Sequence, residues 1–256
     1  MSSSNLVDTP SEEVYFPVPP CAAHSTNLEI YSGGFPPATL MNAPDPGEIV
    51  QMPEMSAVLK LLLQYMHNDR QPDSSKIPFK VLCPLAEAVE KYMVFSAMEV
   101  FSREAIPQHP VEVLYYSVKH DYPELAKIAL PLTVSVSFKE INEVMKERPD
   151  IVLKWVEYRE SWLDVLKFVY EKPVRGSQHK GGSLECDLWA VFHRETLQEV
   201  AGDVKMAQSF SSILQRNLHY IQDCHYCTSR ASLWARAVEN RMSTLADVSK
   251  VSWLRG

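Results

Sequence analysis

Glycine is scarce in this chain, at 8 of 256 residues, and that scarcity excludes a whole class of chemistry. A phosphate-cradling loop needs several glycines ahead of a helix, so that backbone N–H groups can close on the anion. Ser32–Gly33–Gly34 runs instead into Phe35–Pro36–Pro37, which offers neither the spacing nor the helix. Long apolar runs are also missing. LKLLL at 59–63 is among the longest candidates, well short of the roughly 18 residues that cross a bilayer. The opening MSSSNLVDTPSEEV has neither the basic start nor the apolar centre of a secretory signal. The expectation is a cytoplasmic or nuclear protein with no membrane partner, its five cysteines kept reduced.

Charge of one sign is not concentrated anywhere. The formal net charge is −7, and residues 174–256 carry ten Lys/Arg against eight Asp/Glu, so the acidic excess lies in 1–173. Without a basic stripe, phosphate-backbone binding has little electrostatic support, and nucleic acid is not an expected partner. There is no GxSxG elbow and no HExxH, and eight histidines scatter without an evident catalytic partner. The chain is therefore expected to have no catalytic residues and not to be an enzyme.

What the chain has in plenty is helical periodicity. Hydrophobic residues make up 46% of it, enough for a core without disulfides or metals. Nine of the 18 prolines precede residue 54, so the front is loop-rich. Residues 1–13 read as a disordered tail, with VYFPV (14–18) and EIVQM (48–52) as short strands. Met55, Leu59, Leu62 and Met66 then mark one helix face, and Leu82, Leu85, Ala86, Val89 and Met93 the next. Ser96 and Glu99 make a capping box, with Phe95 and Val100 in staple positions. Pro110 suits a first helical position, and Asp121/Glu124 and Ser137/Glu140 read as two further boxes. A long helix follows from about Asp150 to Tyr170, with Trp155, Tyr158, Trp162, Leu166 and Val169 available for burial. Pro173 ends it, and VRGSQHKGGS (174–183) reads as a linker ahead of helical stretches around 185–200, 206–222 and 228–243.

One constellation carries chemistry: Cys224–His225–Tyr226–Cys227, with Cys186 upstream. Two thiolates three positions apart can grip one zinc ion, with Cys186 as third ligand and His179, His193 or His219 as fourth. A redox CxxC follows a strand in a βαβ setting, which is not visible here. The plainer alternative is that the two cysteines only cap a helix–helix turn. Cys21 and Cys83 read as ordinary small residues.

Read outward from HSTNLEIYSGGF (24–35), the order of residues resembles the BTB/POZ domain in the form common among fungal proteins. His24, Leu28, Ser32 and Phe35 stand in the family's order. EIVQM, MSAVLKLLLQYMHND, PFKVLCPLAEAVEKYMVFSAMEVF (78–101) and HPVEVLYYSVKHDYPELAKIA (109–129) follow in register, and the trailing Cys186, Cys224, Cys227 and Trp234 fit the same pattern. The front departs from it, since VYFPVPPCAA has no Asp–Gly turn to join a first hairpin. The resemblance implies an α/β domain, a small sheet packed with a helical cluster, over 14–106. An all-α extension (107–172), the linker (173–183) and a helical C-terminal unit (184–256) come after it. It also implies a structural role for His24 at a strand-to-helix junction, and a positive φ at Gly33 to end that helix.

The implied function is non-catalytic protein–protein interaction, an adaptor-like module that self-associates as a homo-oligomer and recruits protein partners. Some relatives recruit cullin-type ubiquitin ligases, although no acidic contact motif follows Phe35. Two rival classes remain: a metal-dependent enzyme using the C-terminal cysteines, and a zinc-containing nucleic-acid binder using Arg216, Arg230, Arg236 and Arg241.

Overall fold

Helix dominates every described stretch. The computed structural model describes residues 23–35, 37, 50–67, 71–94, 97, 105–171, 179 and 186–246. Of these, 74% are helical and none lies in a strand, which replaces the expected α/β class and its small sheet with an all-helical one. The physical reason is visible at EIVQM. Its described residues 50–52 are irregular and Val50 is exposed, so no apolar face is buried that would repay strand pairing. VYFPV, the 1–13 tail, the Ser96/Glu99 box with its staple, and Pro173 lie outside the described residues. The chain divides into two compact units, Met1–Glu104 and Ala105–Gly256.

In the first unit, α1 (Ser25–Tyr31), α2 (Ser56–Tyr65) and α3 (Phe79–Tyr92) are the described helices. The buried face of α2 is Val58, Leu62 and Tyr65, continued by Met66, and it packs on α3 through the latter's Leu82–Val89 stripe. The buried face is rotated from the expected one. Met55 sits at the N-cap with extended backbone, ahead of the helix, and is 56% exposed. Met93 closes α3 in the left-handed conformation, φ 53°, and points outward.

The double glycine works differently from its expected role. Helix α1 ends on an extended Ser32, and Gly33 takes no positive φ. Instead, Gly33 N–H donates to Met93 O (3.3 Å) and Gly34 N–H to Tyr92 O (3.0 Å), so two stretches of backbone run against each other. The Ser32 hydroxyl also donates to Tyr92 O, and Phe35 stacks on the Tyr92 ring at 4.8 Å. Tyr92 in turn donates to Glu54 (2.9 Å), whose other oxygen pairs with Lys91 (2.6 Å). His24 is exposed and makes no side-chain capping bond at α1, its ring lying 6.3 Å from that of His67. A Cβ on Gly34 would lie 2.6 Å from Tyr92 Cα. Gly34→Ala should therefore destabilise the protein by about 1–3 kcal/mol, read as a lowered midpoint in denaturant; an unchanged midpoint would contradict this close approach.

The second unit runs α4 (Pro110–Lys119), α5 (Pro123–Ala129), a 3₁₀ turn (Leu130–Thr133), α6 (Phe138–Val144) and α7 (Pro149–Tyr170). It continues with α8 (Asp187–Val200), α9 (Val204–Gln208), α10 (Phe210–Asn217), a 3₁₀ turn (Leu218–Tyr220) and α11 (His225–Ala246). Proline opens α4, α5 and α7, where its missing N–H has no intrahelical partner to lose. Ser137 Oγ accepts from the Glu140 N–H at 3.2 Å, the expected cap. Asp121 does not cap; it adopts φ 59°, and Tyr122–Pro123 starts α5.

Helix α7 buries Trp155, Tyr158, Trp162, Val165 and Val169, with Leu166 half-buried, and packs on α6, α9 and α11. Ala105–Gly256 clusters as one compact unit; of the expected linker at 173–183, only His179 is among the described residues. A relay fixes the buried face of α7. Trp155 Nε1–H donates to Thr133 Oγ1 (2.9 Å), and that hydroxyl donates to Leu130 O (2.7 Å). Thr133→Val would keep the shape but orphan a buried indole N–H, at about 1–3 kcal/mol. A calorimetric melt should show that loss, and Thr133→Ser should recover most of it.

Candidate metal centre

Two helix N-termini meet at the cysteines. Cys186 is the N-cap of α8, with extended backbone (φ −149°, ψ 123°). After α10 the chain tightens through the 218–220 turn, and Cys224 N–H donates to Ile221 O (3.0 Å). Cys224 then accepts the first helical bond of α11 from Thr228 N–H (3.0 Å), with Cys227 in the first turn of the same helix. Fully buried Ile221 anchors this turn, and Cys227 is likewise without solvent contact. The C-x-x-C spacing across a helix start sends both sulfurs to one side.

The fourth group comes from the segment between α7 and α8. His179 Nε2 lies 3.3 Å from Cys224 Sγ and 3.5 Å from Cys227 Sγ. The ligand atoms of His179, Cys186, Cys224 and Cys227 all fall within 4.8 Å of one another. Among the described residues this is the one grouping of His, Cys, Asp and Glu able to hold a metal ion. Of the three candidate fourth ligands, the structure brings His179 to the cysteines and keeps the other two away. His193 is enclosed by Trp189 (6.0 Å) and Trp234 (5.2 Å), and burial together with the Arg230 charge holds its imidazole below the usual range. His219 is exposed on the 218–220 turn, its Nδ1 2.8 Å from Arg216 O. Cys83 is exposed on α3 of the first unit, and Cys21 lies outside the described residues.

The thiols are electrostatically unequal. Burial pushes Cys186 up, but the backbone N–H groups of Trp189 and Leu188 and the neighbouring thiols of Cys227 and Cys224 outweigh it, leaving Cys186 below the ordinary thiol range. Cys227 is driven far up, first by burial and then by Cys224 and Cys186. Three thiols within 4.8 Å of one another, one of them buried, do not readily all ionise unaided, since each new thiolate repels the last. A divalent cation removes that conflict, because metal ligation requires the deprotonated forms.

Sequence reasoning named Arg230 only as a candidate nucleic-acid contact and missed its place beside the cluster. Arg230 lies over the Trp189 ring at 4.1 Å. The signal was present as spacing: Trp189 follows Cys186 by three positions and Arg230 follows Cys227 by three, each pair on one helix face. Neither a family model, nor a curated protein, nor a solved structure matches the chain. The likeness to the BTB/POZ domain therefore stands on residue order alone. No helix among the described residues is long and apolar enough to cross a membrane.

Proposed function

We propose that the chain is a non-catalytic protein-interaction module whose second unit is stapled by one zinc ion. The observation that carries this is the donor set itself: His179, Cys186, Cys224 and Cys227 supply four ligand atoms within 4.8 Å of one another. With zinc–sulfur bonds of about 2.3 Å and zinc–nitrogen bonds of about 2.0 Å, a tetrahedron has nitrogen–sulfur edges near 3.5 Å. The two His179–cysteine separations, 3.3 and 3.5 Å, are of that size. Four protein donors fill a tetrahedral shell, as structural zinc sites do, whereas a catalytic zinc keeps one position open for water. The donor count thus speaks for a staple and against the metal-dependent enzyme.

The nucleic-acid alternative loses half of its candidate cations. Arg216 pairs with Glu199, and Arg230 is committed to Trp189, which leaves Arg236 and Arg241. Protein partners fit better. The order of residues from His24 to Trp234 resembles BTB/POZ proteins, which self-associate and recruit partners, cullin-type ligases in some cases. Ile128, Phe138 and Leu153 also leave apolar side chains more than half exposed on α5, α6 and α7, available for contact with another polypeptide.

Two measurements test the two halves. Purified protein should carry about one zinc per chain, lose it on Cys224→Ser, and melt at lower temperature in chelator; metal-free protein indifferent to chelator would defeat the staple. Light scattering coupled to size exclusion should give more than one chain per particle at micromolar concentration, and a strict monomer would defeat self-association.

A further inference from the structure

We infer that Arg230 is the counter-charge of the metal–thiolate cluster, its guanidinium laid on Trp189 to offset the negative charge left when three thiolates hold one divalent ion. This rests on the zinc reading above. Three thiolates and a neutral imidazole around a divalent cation leave one net negative charge, and a partly buried anion is costly without a nearby cation.

Arg230 is placed to supply that cation. It stands one turn beyond Cys227 on α11, and its platform Trp189 stands one turn beyond Cys186 on α8. Trp189 thus serves twice: its backbone N–H points at the Cys186 sulfur, and its ring carries the guanidinium at 4.1 Å. Unlike Arg148, Arg194 and Arg216, which pair with Asp150, Glu195 and Glu199, Arg230 has no carboxylate partner among the described residues. Its Nε is shut off from solvent and makes no hydrogen bond. Three positions from Cys227 in one helix, it shares a helix face with that ligand. A half-buried guanidinium with its Nε shut off from solvent and no carboxylate partner is favoured by a nearby anion, and the loaded cluster is the anion at hand.

The test uses the full chain and zinc itself, with affinity read by competition against a chromophoric chelator. Arg230→Met keeps the aliphatic stem on Trp189 and removes only the charge. It should weaken zinc binding by about 10- to 100-fold, the usual effect of losing a partner beside the ligands. Arg230→Lys should recover most of that loss, and Arg236→Met, on the same helix, should change nothing. Without zinc, Arg230→Met should melt no lower than the wild type, because it deletes an uncompensated cation; a side chain needed only for packing would lower both forms. Should the methionine variant fold poorly, Arg230→Gln removes the same charge and should weaken zinc binding to the same degree. Zinc held by Arg230→Met as tightly as by the wild type, or lost equally by Arg230→Lys, would overturn the inference while leaving the staple intact. A wild-type chain that takes up no zinc would remove both.

Discussion

Three thiols and an imidazole within 4.8 Å of one another are the constraint on which the second unit turns. Packed close together and partly withdrawn from water, they repel as they ionise, and burial together with the neighbouring Cys224 and Cys186 drives Cys227 far above its ordinary range. A cation at their centre turns that repulsion into four bonds. The surroundings are matched to a negative cluster. The N-termini of α8 and α11 both end on it, the sulfur of Cys186 receives backbone N–H groups, and Arg230 lies alongside. Helix starts and a guanidinium are the positive groups a protein can fix most readily.

The helices that carry these ligands are locked by aromatic packing behind the site. Trp234, one turn beyond Arg230 on α11, is fully buried and meets Phe210 at 4.9 Å, Trp189 at 6.1 Å and Phe192 at 6.5 Å. Ligands and core therefore share elements: Cys186 leads the helix that holds Trp189 and Phe192, and Cys227 the one that holds Trp234. Helix α7, which meets α11, binds the same core to the Thr133–Trp155 relay. Metal binding and folding of this unit are accordingly expected to be linked rather than independent.

Much of this was legible where a local rule decides. Ser137 capped its helix because a serine three residues before a glutamate satisfies an orphan N–H whatever the tertiary context, and Pro110 began a helix for an equally local reason. The C-x-x-C pair was legible because its geometry is set within one turn. What failed depended on partners distant in sequence. EIVQM had the composition of a strand but, among the described residues, no neighbour to pair with. Gly33–Gly34 looked like a helix stop, whereas the requirement at Gly34 is clearance against Tyr92, 58 residues beyond it. His179 sat in a stretch whose glycines and polar residues read as a linker, so its part in the cluster emerged only when the cysteines converged. Arg230 was visible as a charge but not as one laid on Trp189 beside the cysteines.

The most direct test of the central claim is X-ray absorption at the zinc edge on the purified full chain. The account predicts a first shell of three sulfurs at about 2.3 Å and one imidazole nitrogen at about 2.0–2.1 Å, with no water. A shell containing an oxygen ligand, or fewer than three sulfurs, would contradict a closed site built from His179, Cys186, Cys224 and Cys227.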